Sequence, residues 1–204
     1  MVSFQVAAAD RVAWTTSRVQ GSPDPPPPFM VEEIYPSSLE RRVVDVQFIP
    51  GSNRLLALHL DGLFRVIGGS SDDVKLSTAF DFKAEYRDLF QALGFTFDPD
   101  FMENRLVYVC FSRKPDPREV SRIVRVCRFE LENLESLRLL PESNLELLQW
   151  EVQGHNGGCL SFGPDGFLYI STGDGRPPSP PDALHSGQDI TDLRASILRV
   201  DVSK

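Results

Sequence analysis

After about residue 40 the chain alternates apolar and polar positions in short runs of five to eight residues, each closed by Gly, Pro, Asp or Asn. A period of two with turn residues between runs is the pattern of β-strands, not of amphipathic helices. In "RVVDVQFIPGSNRLLALHLDGLFRVIGG" Val44, Val46 and Phe48 alternate, Pro50 to Asn53 turn, Leu55 to Leu60 runs apolar, and Asp61-Gly62 turns into Leu63 to Ile67. This is a meander of short strands. A second unit starts at "ALGFTFDPDFMENRLVYVCFSRK": Phe95 and Phe97 lead into a turn over Asp98 to Asn104, then Leu106 to Phe111, then "VSRIVRVCRFEL". A third is "GGCLSFGPDGFLYISTGDG", followed after a Pro-rich loop by "SILRVDV". The most helical stretch, Lys83 to Leu93, is expected to form a short loop helix.

The three units share a template in which an apolar strand ends in Phe-x-Pro and turns back. Phe48-Pro50, Phe97-Pro99 and Phe162-Pro164 lie roughly fifty to sixty-five residues apart, a spacing that fits repeated propeller blades with inserted loops. The expected fold is all-β: a β-propeller of about three blades over residues 34–204, preceded by a Pro-rich lead-in over 1–33. In that lead-in "GSPDPPPPFMVEE" is expected to be extended, because consecutive prolines join neither a sheet ladder nor a helix interior. Three blades are too few to close a ring and leave a sheet edge and an apolar face open. The blades are therefore expected to be part of a larger ring, to meet remaining blades, or to self-associate.

Composition narrows the partners. A formal charge of −8 argues against binding nucleic acid through a positive field, and the locally basic "SRKPDPREVSRIVRVCR" alternates like a strand with one solvated face. No apolar run approaches the ~20 residues that a membrane helix needs. The start, "MVSFQVAAADRVAW", lacks the basic start and long apolar block of a signal peptide. Cys110, Cys127 and Cys159 are odd in number and widely spaced, which favours free thiols over a disulfide framework or a zinc site.

The densest chemistry is in "HNGGCLSFGPDGFLYISTGDG", residues 155–175. Gly157-Gly158 allows close backbone approach, Cys159 to Phe162 is a strand, Gly163 to Gly166 is a hairpin turn, and Phe167 to Thr172 returns. A hairpin of that length brings Asp174 back to the end of the sheet where His155 sits. A carboxylate beside an imidazole fixes its tautomer and stabilises the imidazolium, so the ring becomes a base for a hydroxyl proton. The same spacing also fits an ordinary surface hairpin. His59, in an apolar strand, and His185, in a polar loop, are expected to be structural and solvated residues respectively. "DPDFMEN" and "GDG" lack the acidic-ligand spacing of an EF-hand loop, so no metal site is expected here.

The block from His155 to Gly175, followed by "GQDITDLRASILRVDV", resembles the glucose/sorbosone dehydrogenase family, the soluble pyrroloquinoline quinone (PQQ) sugar dehydrogenases and their relatives. "VVDVQFIPGSNRLLALHLDGLFRVI" and "ALGFTFDPDFMENRLVYVCFS" are similar to further segments of that family, so the likeness covers about residues 30–204. The resemblance implies a six-bladed propeller that oxidises a sugar or small polyol, with PQQ and calcium as cofactors and a periplasmic or extracellular location. It implies that His155 is the general base and Asp174 its orienting acid, and that Asn156 and Gln188 touch substrate, although Gln188 also fits a turn cap. The family's cofactor ligands match no residues of this chain. Gly154, Cys159, Ala195 and, in one alignment, Leu89 depart from the family pattern. Those departures motivate an alternative, a non-catalytic carbohydrate- or protein-binding propeller of the hedgehog-interacting kind; a calcium-dependent lactonase-like propeller fits the motif spacing less well.

Overall fold

The computed structural model describes residues 42–70, 73–114, 116–176 and 185–203. The Pro-rich lead-in lies outside the described residues. The described chain forms three antiparallel sheets, each a meander of strands consecutive in sequence. The first holds β1 (Val43–Phe48), β2 (Leu55–His59), β3 (Leu63–Ser70) and β4 (Asp73–Asp81). The second holds β5 (Leu89–Phe97), β6 (Leu106–Arg113), β7 (Arg122–Leu131) and β8 (Leu139–Val152). The third holds β9 (Gly157–Phe162), β10 (Leu168–Thr172) and β11 (Ile197–Val200). The leading strands of the sheets are neighbours, β1 against β5 and β5 against β9, so the sheets stand side by side as blades around one axis.

The Phe-x-Pro repeat has a common structural place. Ile49 to Arg54, Asp98 to Arg105 and Gly163 to Phe167 each join the first strand of a blade to its second. In the second blade Asp98 makes the turn rigid: Oδ1 accepts from Asp100 N at 3.0 Å and from Asn104 Nδ2 at 2.8 Å, and Oδ2 from the Tyr108 hydroxyl at 2.9 Å. In the third blade Asp165 does the same with the Tyr169 hydroxyl and Arg199 Nε, both at 2.9 Å.

Strand β6 is buried on both faces and reads as a continuous apolar run, "LVYVCFS", as a strand between two packed layers must. Val107, Val109 and Phe111 enter the core shared with the first blade, and Tyr108 and Cys110 enter the core shared with the third. Phe82, fully buried, is the hub of the first core, with its ring 5.0 Å from Phe111 and 5.4 Å from Phe129 of the second blade and 6.1 Å from Phe64 of the first. The many phenylalanines therefore glue one blade to the next.

One local expectation changes, and the first strand turns an unexpected face inward. The helix expected from Lys83 to Leu93 is only α1, Phe82–Glu85, started by Asp81, whose Oδ1 accepts from Lys83 N at 3.0 Å and Ala84 N at 3.2 Å. From Leu89 the chain is strand, because Leu89, Ala92 and Phe95 bury against the first blade. In β1 the alternating Val44, Val46 and Phe48 lie on the exposed side. Asp45 and Gln47 face β5 instead: Asp45 Oδ2 accepts from Phe95 N at 3.0 Å. A second four-residue helix, α2 (Phe101–Asn104), ends in the left-handed Arg105.

Candidate active site

Strand β9 begins where the chain crosses from the outer edge of the second blade to the inner edge of the third. Gly157 and Gly158 both have positive φ, +71° and +112°, and they fall at a one-residue slip in the β9–β10 register, between Leu160↔Ile170 and Gly157↔Thr172. The slip is a bulge that redirects the preceding residues. A side chain at Gly158 would strike Leu93 Cβ, and one at Gly94 on β5 would strike the Gly158 carbonyl, so the inner strands of adjacent blades touch backbone to backbone here.

Beyond the bulge, residues 153–156 pair with 173–176. Gly173 N donates to Asn156 O at 3.1 Å, Gly175 N to His155 O at 3.0 Å, His155 N to Arg176 O at 3.1 Å and Gln153 N to Gly175 O at 2.7 Å. This ladder sets Asp174 beside His155, with Nδ1 3.0 Å from Oδ1. The same oxygen accepts from Arg176 N at 3.0 Å, which fixes the carboxylate. The Asp174 side chain is 19% exposed and that of His155 is 51% exposed, so the acid is sheltered and the ring faces solvent. A carboxylate only accepts, so Nδ1 carries the hydrogen and Nε2 the lone pair. Nε2 has no partner among the described residues. An oriented imidazole with an open Nε2 can take a proton from an alcohol.

The other expected residues are arranged differently. Asn156 turns its amide inward: Nδ2 donates to Gln91 Oε1 on β5 at 3.2 Å, and Oδ1 is buried without a partner. Gln188 lies in a single 3₁₀ turn (Ser186–Gln188), and its Nε2 donates to the Gly187 carbonyl at 3.1 Å. Ser186 of that turn reaches the Asp174 carbonyl at 3.4 Å, so the turn is tied to the backbone of the pair. His59 is buried at the end of β2, and His185 is an exposed loop residue with φ 53°. Cys110 and Cys127 are buried free thiols, and Cys159 is exposed beside the site.

Three residues near the pair were not singled out from sequence. Gln91 supports Asn156 from the neighbouring blade, and Arg176 reaches Gln153 Oε1 through Nη1 at 3.3 Å. Arg176 follows the Gly-Asp-Gly run directly, which is a signal of sorts; Gln91 sits mid-strand and carries none. Among the described residues no group of three or more His, Cys, Asp or Glu side chains gathers to hold a metal.

The fold and site define a β-propeller segment that carries a His–Asp pair, His155 on the segment that joins the second blade to the third and Asp174 on the chain that follows β10 within the third. The chain belongs to the glucose/sorbosone dehydrogenase family, whose model matches residues 43–203. Human Hedgehog-interacting protein is 26% identical over 197 residues, covering 85% of this chain and 26% of that protein. Among solved structures, a glucose dehydrogenase is 21% identical with a TM-score of 0.59, covering 77% of this chain and 46% of that one. The PQQ-bound aldose sugar dehydrogenase of Streptomyces coelicolor is 20% identical with a TM-score of 0.56, covering 78% of this chain and 46% of that one. The structures show the propeller fold. The chain spans about a quarter of the length of the curated relatives it matches, and less than half of these two solved chains.

Proposed function

We propose that the described blades are the base-bearing part of a sugar dehydrogenase, and the observation that carries this is the His155–Asp174 pair. His155 Nε2 accepts the proton of a substrate hydroxyl, and Asp174 holds the ring in the required tautomer and stabilises the imidazolium that forms. Gln91, through Asn156, and Ser186, through the Asp174 carbonyl, hold the two loop segments in register. Residues 34–204 act as blades of a larger propeller.

The family resemblance and the PQQ-bound neighbour nominate PQQ with calcium as the electron acceptor. The residues described here do not fit that group. Arg194 is engaged with Asp192 at both carboxylate oxygens, Arg176 with Gln153, and the acidic side chains form no three-ligand cluster. Its carboxylates and metal would have to be held by other residues.

A second reading is favoured by the 26% identity to Hedgehog-interacting protein, together with Gly154 and Cys159, which depart from the pattern of the dehydrogenases. In that reading the same loops present a surface to a protein or glycan without turnover. Dye-linked sugar oxidation separates the two, with PQQ and calcium supplied to the longest natural polypeptide that contains this chain. Turnover that falls about 10²–10⁴-fold in His155→Ala and Asp174→Asn supports the enzyme. Absence of turnover overturns it in favour of the binding propeller, and turnover indifferent to His155 overturns the assignment of His155 as the base.

A further inference from the structure

Each blade repeats one step onto the blade before it. Phe97 of β5 belongs to the core shared with the first blade, and the ring of Phe162 on β9 lies 5.1 Å from that of Tyr108 in the second. On the second strands, the residue that faces forward follows the register partner of the blade's own Phe. Phe48 pairs with Leu55, and Leu56 comes next; Phe97 pairs with Val107, and Tyr108 comes next; Phe162 pairs with Leu168, and Tyr169 comes next. Leu56 is buried in the first core and Tyr108 in the second.

The arc of blades therefore ends in two halves of the same interface. In the first blade Phe48 stands where Phe97 and Phe162 stand, yet it is 67% exposed, with Val44 and Val46 exposed on the same side. In the third blade the forward face copies that of the second. Tyr108 pairs with Arg128 and Cys110 with Val126 across β6 and β7; Tyr169 pairs with Arg199 and Ser171 with Ile197 across β10 and β11. The Tyr169 hydroxyl is held by a turn carboxylate at 2.9 Å, as that of Tyr108 is. Val126 is fully buried in the core shared with the third blade, whereas Ile197, in the same place one blade on, is 77% exposed. Large apolar side chains left open on two such faces mark an interaction surface.

We propose that a second copy of this chain fills both halves, with Phe48 of each copy docked beside Tyr169 and Ile197 of the other. The contact continues the step already made by Phe162 on Tyr108, so it needs no surface that the blades do not already use. The two faces differ, so association is head to tail, and such a contact either closes into a ring or runs on as a filament. Two arcs of three blades close a ring of six, within the usual range of propellers. Closure makes the contact twice and sets two His155–Asp174 pairs on one side of the ring. The proposal rests on the reading of residues 34–204 as blades of a larger propeller, and names what completes it.

Sedimentation equilibrium of the whole chain over a wide concentration range tests it, with neither cofactor nor turnover. The expected result is a dimer, twice the 22.9 kDa of one chain, and no larger species. Phe48→Asp and Ile197→Asp change exposed positions, so the circular dichroism of each should match the parent. Each substitution alters both contacts of the ring and should weaken dimerisation at least about a hundredfold, about tenfold for each contact. Mixing the two variants leaves one pair of faces unaltered and should restore association. Val120→Asp, at an exposed position between β6 and β7, should leave the dimer unchanged. A monomer, as when further blades of a longer chain fill these faces, overturns the proposal. So does a polymer that grows with concentration, a dimer indifferent to Ile197→Asp, or a mixture that does not recover. None of these outcomes touches the His155→Ala turnover assay, and loss of the dehydrogenase reading with the dimer intact removes only that reading.

Discussion

Replacing Gly157 by Ala should cost far more than replacing Gly166, although both residues have nearly the same backbone conformation, φ +71° and +77°. An alanine in the left-handed region costs about 1–2 kcal/mol at either site. At Gly166 nothing lies within 4 Å of the new methyl, so that is the whole penalty. At Gly157 the methyl would lie 2.5 Å from Gly173 N, 2.7 Å from Ser171 O and 2.7 Å from Thr172 C, all backbone atoms. Ordinary contact begins at 3.4 Å, so residues 171–173 must retreat by about 0.9 Å. That retreat stretches the bonds from Gly173 N to Asn156 O and from Gly175 N to His155 O, each worth about 1 kcal/mol net. The expected loss is therefore about 3–4 kcal/mol for Gly157→Ala. The same movement takes the His155–Asp174 contact from 3.0 Å to nearly 4 Å, outside hydrogen-bond range. Urea denaturation of both variants gives the stabilities, and long-range ¹⁵N–¹H correlation of the His155 ring gives its tautomer. A Gly157→Ala variant within about 0.5 kcal/mol of Gly166→Ala, or one that keeps the hydrogen on Nδ1 as in the parent, would refute the reasoning.

Two further outcomes follow from the interior. Desolvation holds the Asp45 carboxyl above its ordinary range, against the hydrogen bond from Phe95 N. The folded state thus binds this proton more tightly than the unfolded chain, and the group's contribution to stability is lost as pH rises through its folded value. Asp45→Asn should gain on the parent as pH rises above the ordinary carboxylate range in urea titrations, and a gap that moves the other way sinks the assignment. Burial pushes the Cys127 thiol up to about 12 and raises Cys110 further, whereas Cys159 is exposed. A disulfide reagent should therefore titrate one thiol in the native chain and all three in denaturant. Labelling of Cys110 or Cys127 at the rate of Cys159 would contradict the packing.

The blade pattern was legible because it is local. Alternation, Phe-x-Pro turns and the hairpin arithmetic from His155 to Asp174 all act over a few residues, and the pair stands where that arithmetic puts it. What escaped was set by neighbours distant in sequence. The stretch from Lys83 has helix-forming residues, but burial of Leu89 and Ala92 against the first blade makes most of it strand. Val44, Val46 and Phe48 look like a core face, yet the side of β1 that meets the second blade is the one carrying Asp45 and Gln47. The inward turn of Asn156 depends on Gln91, 65 residues away. No periodicity in β5 or in the segment before β9 announces that meeting.

The middle of strand β6 has no solvent side, since Val107, Val109 and Phe111 belong to one core and Tyr108 and Cys110 to the next. The blade is therefore not the interchangeable module of this fold. Anyone grafting the second blade from a relative would transplant half of two different interiors, each cut through its middle. The unit that can be exchanged with its packing intact is the interface: the facing halves of two adjacent blades, taken together.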